Sequence, residues 1–237
     1  MIDRLKKAIE DSDKIVFFTG AGMSTDSGIP DFRSETGLYK NNLHAEEIIS
    51  HSYFMMDPQG FFEFYKDKMV YEDARPNYGH IFIAELEKRK DVKVVTQNID
   101  GLHQAAGSST VYELHGSIHR NYCMRCHRSY SLADIMKRGT VPHCECGGII
   151  KPDVVLYEEG LDPDVINASI DAIAGADLLV ILGTSLNVYP AAGFINYFRG
   201  RHLAIINRSV TPKDRMCDIV IHDSISDTFK ALAEKAI

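Results

Sequence analysis

A chain of 237 residues is long enough to bury a full core, as one domain with insertions or as two small ones. Its 45% apolar and 25% charged residues match an ordinary globular protein and exclude a low-complexity or fibrous chain. With 26 Lys and Arg against 33 Asp and Glu, a formal charge of -7, it lacks the global positive field on which many nucleic-acid binders rely.

No run reaches the roughly 18 apolar residues of a membrane helix, and the opening MIDRLKKAIEDSDK reads as a mixed-charge helix rather than a signal peptide. Ile2, Leu5, Ala8 and Ile9 set helical spacing over residues 2–11. A cytoplasmic protein with no membrane or nucleic-acid partner is expected. Residues 15–18, Ile-Val-Phe-Phe, form a buried parallel strand that breaks into Gly20-Ala21-Gly22. Glycines after a strand let backbone N–H groups approach a pyrophosphate, and a helix starting there adds its positive end. Ser24, Thr25, Asp26 and Ser27 supply short polar groups, and Gly28-Ile29-Pro30-Asp31-Phe32-Arg33 is a loop able to fold over a ligand.

Residues 44–72 are rich in Phe, Tyr and Met, with Pro58 starting a helix on which Phe61, Phe62, Phe64 and Tyr65 cluster as core. Pro76-Asn77 opens another helix, which ends at Lys88-Arg89-Lys90. The strand at 92–95 delivers Thr96-Gln97-Asn98-Ile99-Asp100-Gly101-Leu102-His103, with polar side chains at the carboxyl end, where open α/β sheets bind ligands. Residues 111–114 lead to His115-Gly116, the third strand in succession to end in polar, glycine-flanked sequence. These three ends are expected to meet in one crevice.

Cys123-x-x-Cys126 and Cys144-x-Cys146 stand 17 residues apart, the spacing of a four-thiolate zinc site. The second pair is one residue short of the usual knuckle; Gly147 and Gly148 permit the tight turn, and His127 or His143 is an alternative ligand. Four protein ligands leave no open position, so one structural zinc is expected. The remaining Cys217 reads as an ordinary half-buried residue. Strand 151–157, a helix at 163–174, the buried strand 177–182 ending in Gly183-Thr184-Ser185, a helix near 188–192, strands 203–206 and 219–221, and a terminal helix complete an alternating pattern. Alternation means a doubly wound parallel α/β sheet.

The segments GAGMS, GIPDFR, TQNIDGLH, HG, the four cysteines, KPDVVLYEE, GTSLNVYP, IIN and CDIVI, in that order, resemble the sirtuins, NAD-dependent protein deacylases, particularly bacterial ones. The resemblance implies a Rossmann-like NAD domain from residues 1–34, 76–118 and 151–237, and a smaller lobe of a helical insertion, 35–75, and a zinc module, 119–150. NAD would be lined by Ala21, Thr25, Phe32, Arg33, Gln97, Ile99, Asp100, Thr184, Ser185 and Asn207, with the Asp218-Ile219 backbone at the adenine edge. His115 would be the general base for a ribose hydroxyl, with Asn98 beside it. The products would be nicotinamide, O-acetyl-ADP-ribose and free lysine.

The acetylated protein would bind as an extended strand between Val154, Val155, Leu156, Tyr157 and Asn187, Val188, Tyr189, largely through backbone. Sirtuins that remove acidic acyl groups carry Tyr-x-x-Arg in the helical insertion. This chain has Tyr65-x-x-Lys68, whose lysine lacks the bidentate fork, so deacetylation is the expected main activity. Competing readings are an NAD-binding regulator without turnover, an ADP-ribosyltransferase, and a cysteine ribbon that docks nucleic acid. His115, Asn98 and Asp100 together speak against the first. Scattered Arg120, Arg125, Arg128, Lys137 and Arg138 speak against the last.

Overall fold

The computed structural model describes residues 1–32, 37 and 44–234. Helix α1 (Ile2–Glu10) buries Leu5, Ala8 and Ile9 on one face and leads to β1 (Lys14–Thr19), of which only Lys14 is exposed. Two 3-10 turns, Ala21–Met23 and Thr25–Ser27, follow where the glycine pattern suggests an α-helix. In the first insertion lie α2 (Ala45–Ile48), α3 (His51–Met56) and α4 (Pro58–Lys68), the last started by Asp57, which accepts from the Gly60 amide, and by Pro58 at its first turn. Asn77 caps α5 (Tyr78–Glu87), after which come β2 (Asp91–Thr96), α6 (Leu102–Ala106) and β3 (Val111–Glu113).

The cysteine-bearing stretch contains β4 (Gly116–Cys123), β5 (Ser129–Ser131), α7 (Leu132–Met136) and β6 (Ile150–Val154). Asp162 caps α8 (Pro163–Ala174) through the Asp164 and Val165 amides, and β7 (Leu178–Leu182), a 3-10 segment Ala191–Tyr197, β8 (His202–Ile206), β9 (Ile219–Ile221) and α9 (Ile225–Glu234) finish the described chain.

Six strands form one parallel sheet in the order β3-β2-β1-β7-β8-β9. This is the doubly wound arrangement of dinucleotide-binding sheets, and the chain reverses direction across the sheet between β1 and β7. Burial on both faces explains the unbroken apolar runs: Ile15 and Phe17 enter one core with Leu5 and Phe229, whereas Val16 and Phe18 enter the other with Ile181 and Ile205. Each such side chain contributes about 1.5–3 kcal/mol of apolar burial.

A second, antiparallel sheet, β5-β4-β6, carries the cysteines. It draws on residues to both sides of the 119–150 module, because β4 starts at Gly116 and β6 runs to Val154. Its core is continuous with the helical insertion: Phe54, Phe61, Phe62 and Tyr65 pack with Ile118, Cys123, Cys144, Val154 and Leu156. The two insertions thus share one hydrophobic core.

Candidate active site

The ends of β1 and β7 meet first. The Gly22 amide donates to the Gly183 carbonyl at 2.8 Å, and a Cβ on Gly22 would lie 2.8 Å from the Gly183 Cα. Gly183 itself adopts φ +57°, in the left-handed region. Loop against loop, as much as loop against ligand, therefore demands these glycines, and the contact forces the tight 3-10 turns seen after β1. Thr25 secures the same loop by donating from Oγ1 to the Gly22 carbonyl, while Ala21 beside it is half-buried.

Gln97 ties three strand ends together. Its amide donates to the Thr19 carbonyl at 2.9 Å, its Nε2 donates to Thr184 Oγ1 at 3.1 Å, and its carbonyl lies 2.9 Å from His115 Nδ1. A carbonyl only accepts, so the proton sits on Nδ1 and Nε2 keeps its lone pair. Burial pushes the His115 imidazole below its ordinary value of 6.5, against the opposing effect of the Gln97 carbonyl, so the neutral form is the resident one. The geometry makes a histidine with one nitrogen anchored and the other available as a base.

Asn98 and Asp100 are joined through Ser24, which motif reading left among the generic polar groups. Asn98 Nδ2 donates to Ser24 Oγ at 3.1 Å, and Ser24 Oγ donates to Asp100 Oδ2 at 2.6 Å. The Leu102 amide donates to Asp100 Oδ1 at 2.9 Å. Burial raises the pKa of this carboxyl, and the Ser24 and Leu102 hydrogen bonds counteract it. Beneath the chain, Thr96 Oγ1 accepts from the Asn98 amide and from Thr19 Oγ1, and Thr19 Oγ1 lies 3.1 Å from buried His103 Nε2. Ile99 faces the core shared by the insertions, its carbonyl accepting from the Ile118 amide.

The four cysteine sulfurs lie within 4.8 Å of one another, with Cys123 to Cys146 at 3.4 Å and Cys126 to Cys144 at 3.6 Å. A tetrahedral zinc with about 2.3 Å bonds requires sulfur separations near 3.8 Å, so the set fits. Gly147, at φ +82°, turns the short second pair, and its amide donates to the Cys144 carbonyl. The four thiols complete the set without His127 or His143, both exposed. Glu145, between the paired cysteines, accepts from Tyr130, Arg128 and Arg138, and its Oε2 lies 3.7 Å from Cys144 Sγ.

Residues 20–190 match the model of the Sir2 family. The chain is 55% identical over 238 residues to an NAD-dependent protein deacetylase of Clostridium acetobutylicum, covering 98% of this chain and 97% of that one. The corresponding protein of Clostridium perfringens is 56% identical over 94% of this chain and 95% of its own. The chain belongs to the Sir2 family.

Among solved sirtuins, a Sir2 with a deacetylated p53 peptide and 3′-O-acetyl-ADP-ribose superposes with a TM-score of 0.94 at 34% identity, over 99% of this chain and 98% of that one. A Sir2 with p53 peptide and NAD+ gives a TM-score of 0.88 at 35% identity, over the same shares of the two chains. In this sirtuin β6 places the expected substrate residues beside the histidine: the Val155 amide donates to the His115 carbonyl at 3.0 Å. Tyr157 is gripped by the helical insertion, its amide donating to Ile49 and its carbonyl accepting from His51. Val154 and Leu156 are buried, whereas Asn187 and Tyr189 are exposed and Val188 is half-buried.

Asp218 and Ile219, whose backbone is expected at the adenine edge, stand at the start of β9. The Asp218 amide donates to the Leu203 carbonyl at 2.8 Å, and Ile219 pairs with Ala204, so both lie at the amino end of β9. Asn207, by contrast, leaves the carboxyl end of β8, where its Nδ2 donates to the Ser209 carbonyl. Ser185 and Phe32 are half-buried; Arg33 lies outside the described residues.

Tyr65 is fully buried, stacked on Phe61 with ring centroids 5.8 Å apart, and its hydroxyl has no hydrogen-bond partner among the described residues. Lys68, one turn on, pairs with Asp67 at 2.9 Å. The structure therefore separates the two members of the Tyr-x-x-Lys pair, one in the core and one on the surface. Cys217 is half-buried, and burial with nearby Asp214 and Asp218 pushes its thiol up to about 11.

Proposed function

We propose that this sirtuin removes acetyl groups from lysines of proteins, using NAD as co-substrate and releasing nicotinamide, O-acetyl-ADP-ribose and free lysine. The observation that carries the reading is His115, anchored through Nδ1 on the Gln97 carbonyl with Nε2 left as acceptor. Once the acyl oxygen has displaced nicotinamide from the anomeric carbon of the ribose, a neutral imidazole in that tautomer can take the proton of a neighbouring ribose hydroxyl, which attacks the imidate carbon; water then releases free lysine and O-acetyl-ADP-ribose. Asp100, held by Ser24 and Leu102, accepts from the nicotinamide carboxamide, and Asn98 orients the ribose beside His115. Ala21, Thr25, Phe32, Arg33, Gln97, Thr184, Ser185 and Asn207 line the dinucleotide, with Ile99 closing the nicotinamide end.

The acetyl-lysine peptide adds as a strand between residues 154–157 and 187–189, close to His115 through the Val155 link. Burial of Tyr65 and pairing of Lys68 with Asp67 leave acidic acyl groups without a ready partner, which favours acetyl. One zinc on Cys123, Cys126, Cys144 and Cys146 joins the strands of the small sheet and supports the lobe without entering the chemistry. No described helix is long and apolar enough to cross a membrane, and cytoplasmic proteins are the proposed substrates. Mass spectrometry of an acetyl-lysine peptide incubated with the protein tests this reading. Loss of the acetyl group only when NAD is present, with O-acetyl-ADP-ribose formed, is expected; NAD-independent or absent deacetylation would overturn it.

A further inference from the structure

Asp26 carries no role in the motifs, yet two segments distant in sequence converge on it. It lies in the 3-10 turn after the glycine loop, next to Thr25. Arg208 NH2 donates to its Oδ1 at 2.9 Å, and Ser224 Oγ donates to its Oδ2 at 3.1 Å. Arg208 follows Asn207 at the end of β8, and Ser224 follows the end of β9, where its Oγ also accepts from the Asp227 amide and so starts α9. One carboxylate thus joins the carboxyl ends of β1, β8 and β9 across 182 and 198 residues of sequence.

These groups border a cavity of about 450 Å³ that also includes Asn77, Ser226 and Lys230. Within it Arg208 is paired with Asp26 and Lys230 with Asp227. Asp26 already supplies the negative charge favoured at the start of α9. Burial works to raise its pKa, but hydrogen bonds from the start of α9 and the Arg208 guanidinium hold it below the ordinary carboxylate value. The carboxylate is therefore charged throughout the neutral range.

We propose that Asp26 is a positioning residue for NAD, a latch that fixes the glycine loop against the Asn207-Arg208 turn and thereby sets the dinucleotide site before NAD arrives. This rests on the reading that NAD binds at these strand ends. An ion pair whose arginine is 64% exposed contributes little to global stability. Its effect lies in the fraction of molecules with both walls in place, because apparent affinity falls in proportion to that fraction.

The test compares Asp26→Asn, Arg208→Met, the double variant and Asp26→Glu with the unaltered protein. Calorimetric NAD binding is measured with the steady-state constants for NAD and peptide and the melting temperature. If the competent fraction drops to about a fifth, both single variants bind NAD roughly fivefold more weakly. The expected pattern keeps kcat and peptide KM within about twofold, makes the double variant no worse than the singles, and gives partial rescue by glutamate. NAD affinity unchanged in Asp26→Asn, or equal losses in NAD and peptide KM with a lowered melting temperature, would overturn the latch. Asn207→Ala separates the two levels of the argument. If it weakens NAD binding while Asp26→Asn does not, only the latch fails; if neither matters, the placement of NAD fails too.

Discussion

Replacing Ser24 by alanine removes one hydroxyl and keeps the backbone, yet it breaks the Asn98-Ser24-Asp100 chain at its centre. Asp100 Oδ2 loses its 2.6 Å donor, and the Leu102 amide on the other oxygen remains. A hydrogen bond to a charged group contributes about 1.5–3 kcal/mol. That corresponds to roughly 10- to 150-fold in whatever step needs the ionised carboxylate. Because burial already raises the Asp100 pKa and Ser24 is the leading opposing influence, the variant titrates higher still. The expected result is a fall in kcat/KM for NAD of at least about tenfold, deepest at acid pH and partly recovered as pH rises and Asp100 ionises. Initial-rate assays of nicotinamide release from pH 6 to 9 (~6 to ~9, bracketing the neutral range) measure it. A loss below about twofold, or one independent of pH, would refute the argument that Ser24 keeps Asp100 charged.

The acidic limb of kcat/KM in the unaltered protein should fall below pH 6.5, since burial lowers the His115 pKa and the neutral base survives further into acid; a limb at or above that value contradicts the assigned tautomer and environment. His80, pushed down to about 4 by burial, is neutral when folded, so its contribution is full above the unfolded value of 6.5 and declines as pH falls toward 4. About 2 kcal/mol is lost by pH 5 on that basis, and a urea midpoint that stays flat between pH 7 and pH 5 (roughly neutral to ~5) would disprove it. Chelation or Cys144→Ser should remove one zinc per chain and loosen the small lobe, because Cys123 and Cys144 belong to its core; elemental analysis and thermal melting check this, and an unchanged melt contradicts a structural metal. Lys68→Arg should leave removal of succinyl relative to acetyl within about twofold, because Tyr65 is buried in the core while residue 68 stands at the surface beside Asp67; a several-fold gain would show that the pair does reach the acyl pocket.

The main sheet was legible because its strands are buried on both faces: Phe17 and Phe18 must both find cores, which leaves a parallel, doubly wound sheet as the natural solution. The cysteine cluster was legible from spacing alone, whereas the role expected of His115 came from the family resemblance, since a lone histidine after a short strand carries no such signal by itself. Ser24 and Asp26 were not legible, because their partners, Asp100 and Arg208, are distant in sequence and no periodicity marks a side chain that bridges loops. The two 3-10 turns were also hidden, since glycines after a strand announce a tight turn without saying which hydrogen-bond pattern closes it. Likewise β6 looks like any other apolar strand, and only its pairing with β4 assigns it to the small sheet.

The role of His115 is the central claim, and it is most directly tested by comparing two activities of His115→Ala. Departure of nicotinamide precedes the step that needs the base, so the variant should still exchange labelled nicotinamide into NAD in the presence of acetyl-peptide while losing deacetylation by about 100-fold or more. Deacetylation that persists near the unaltered rate would contradict the account, because the anchored imidazole would then have no proton to take.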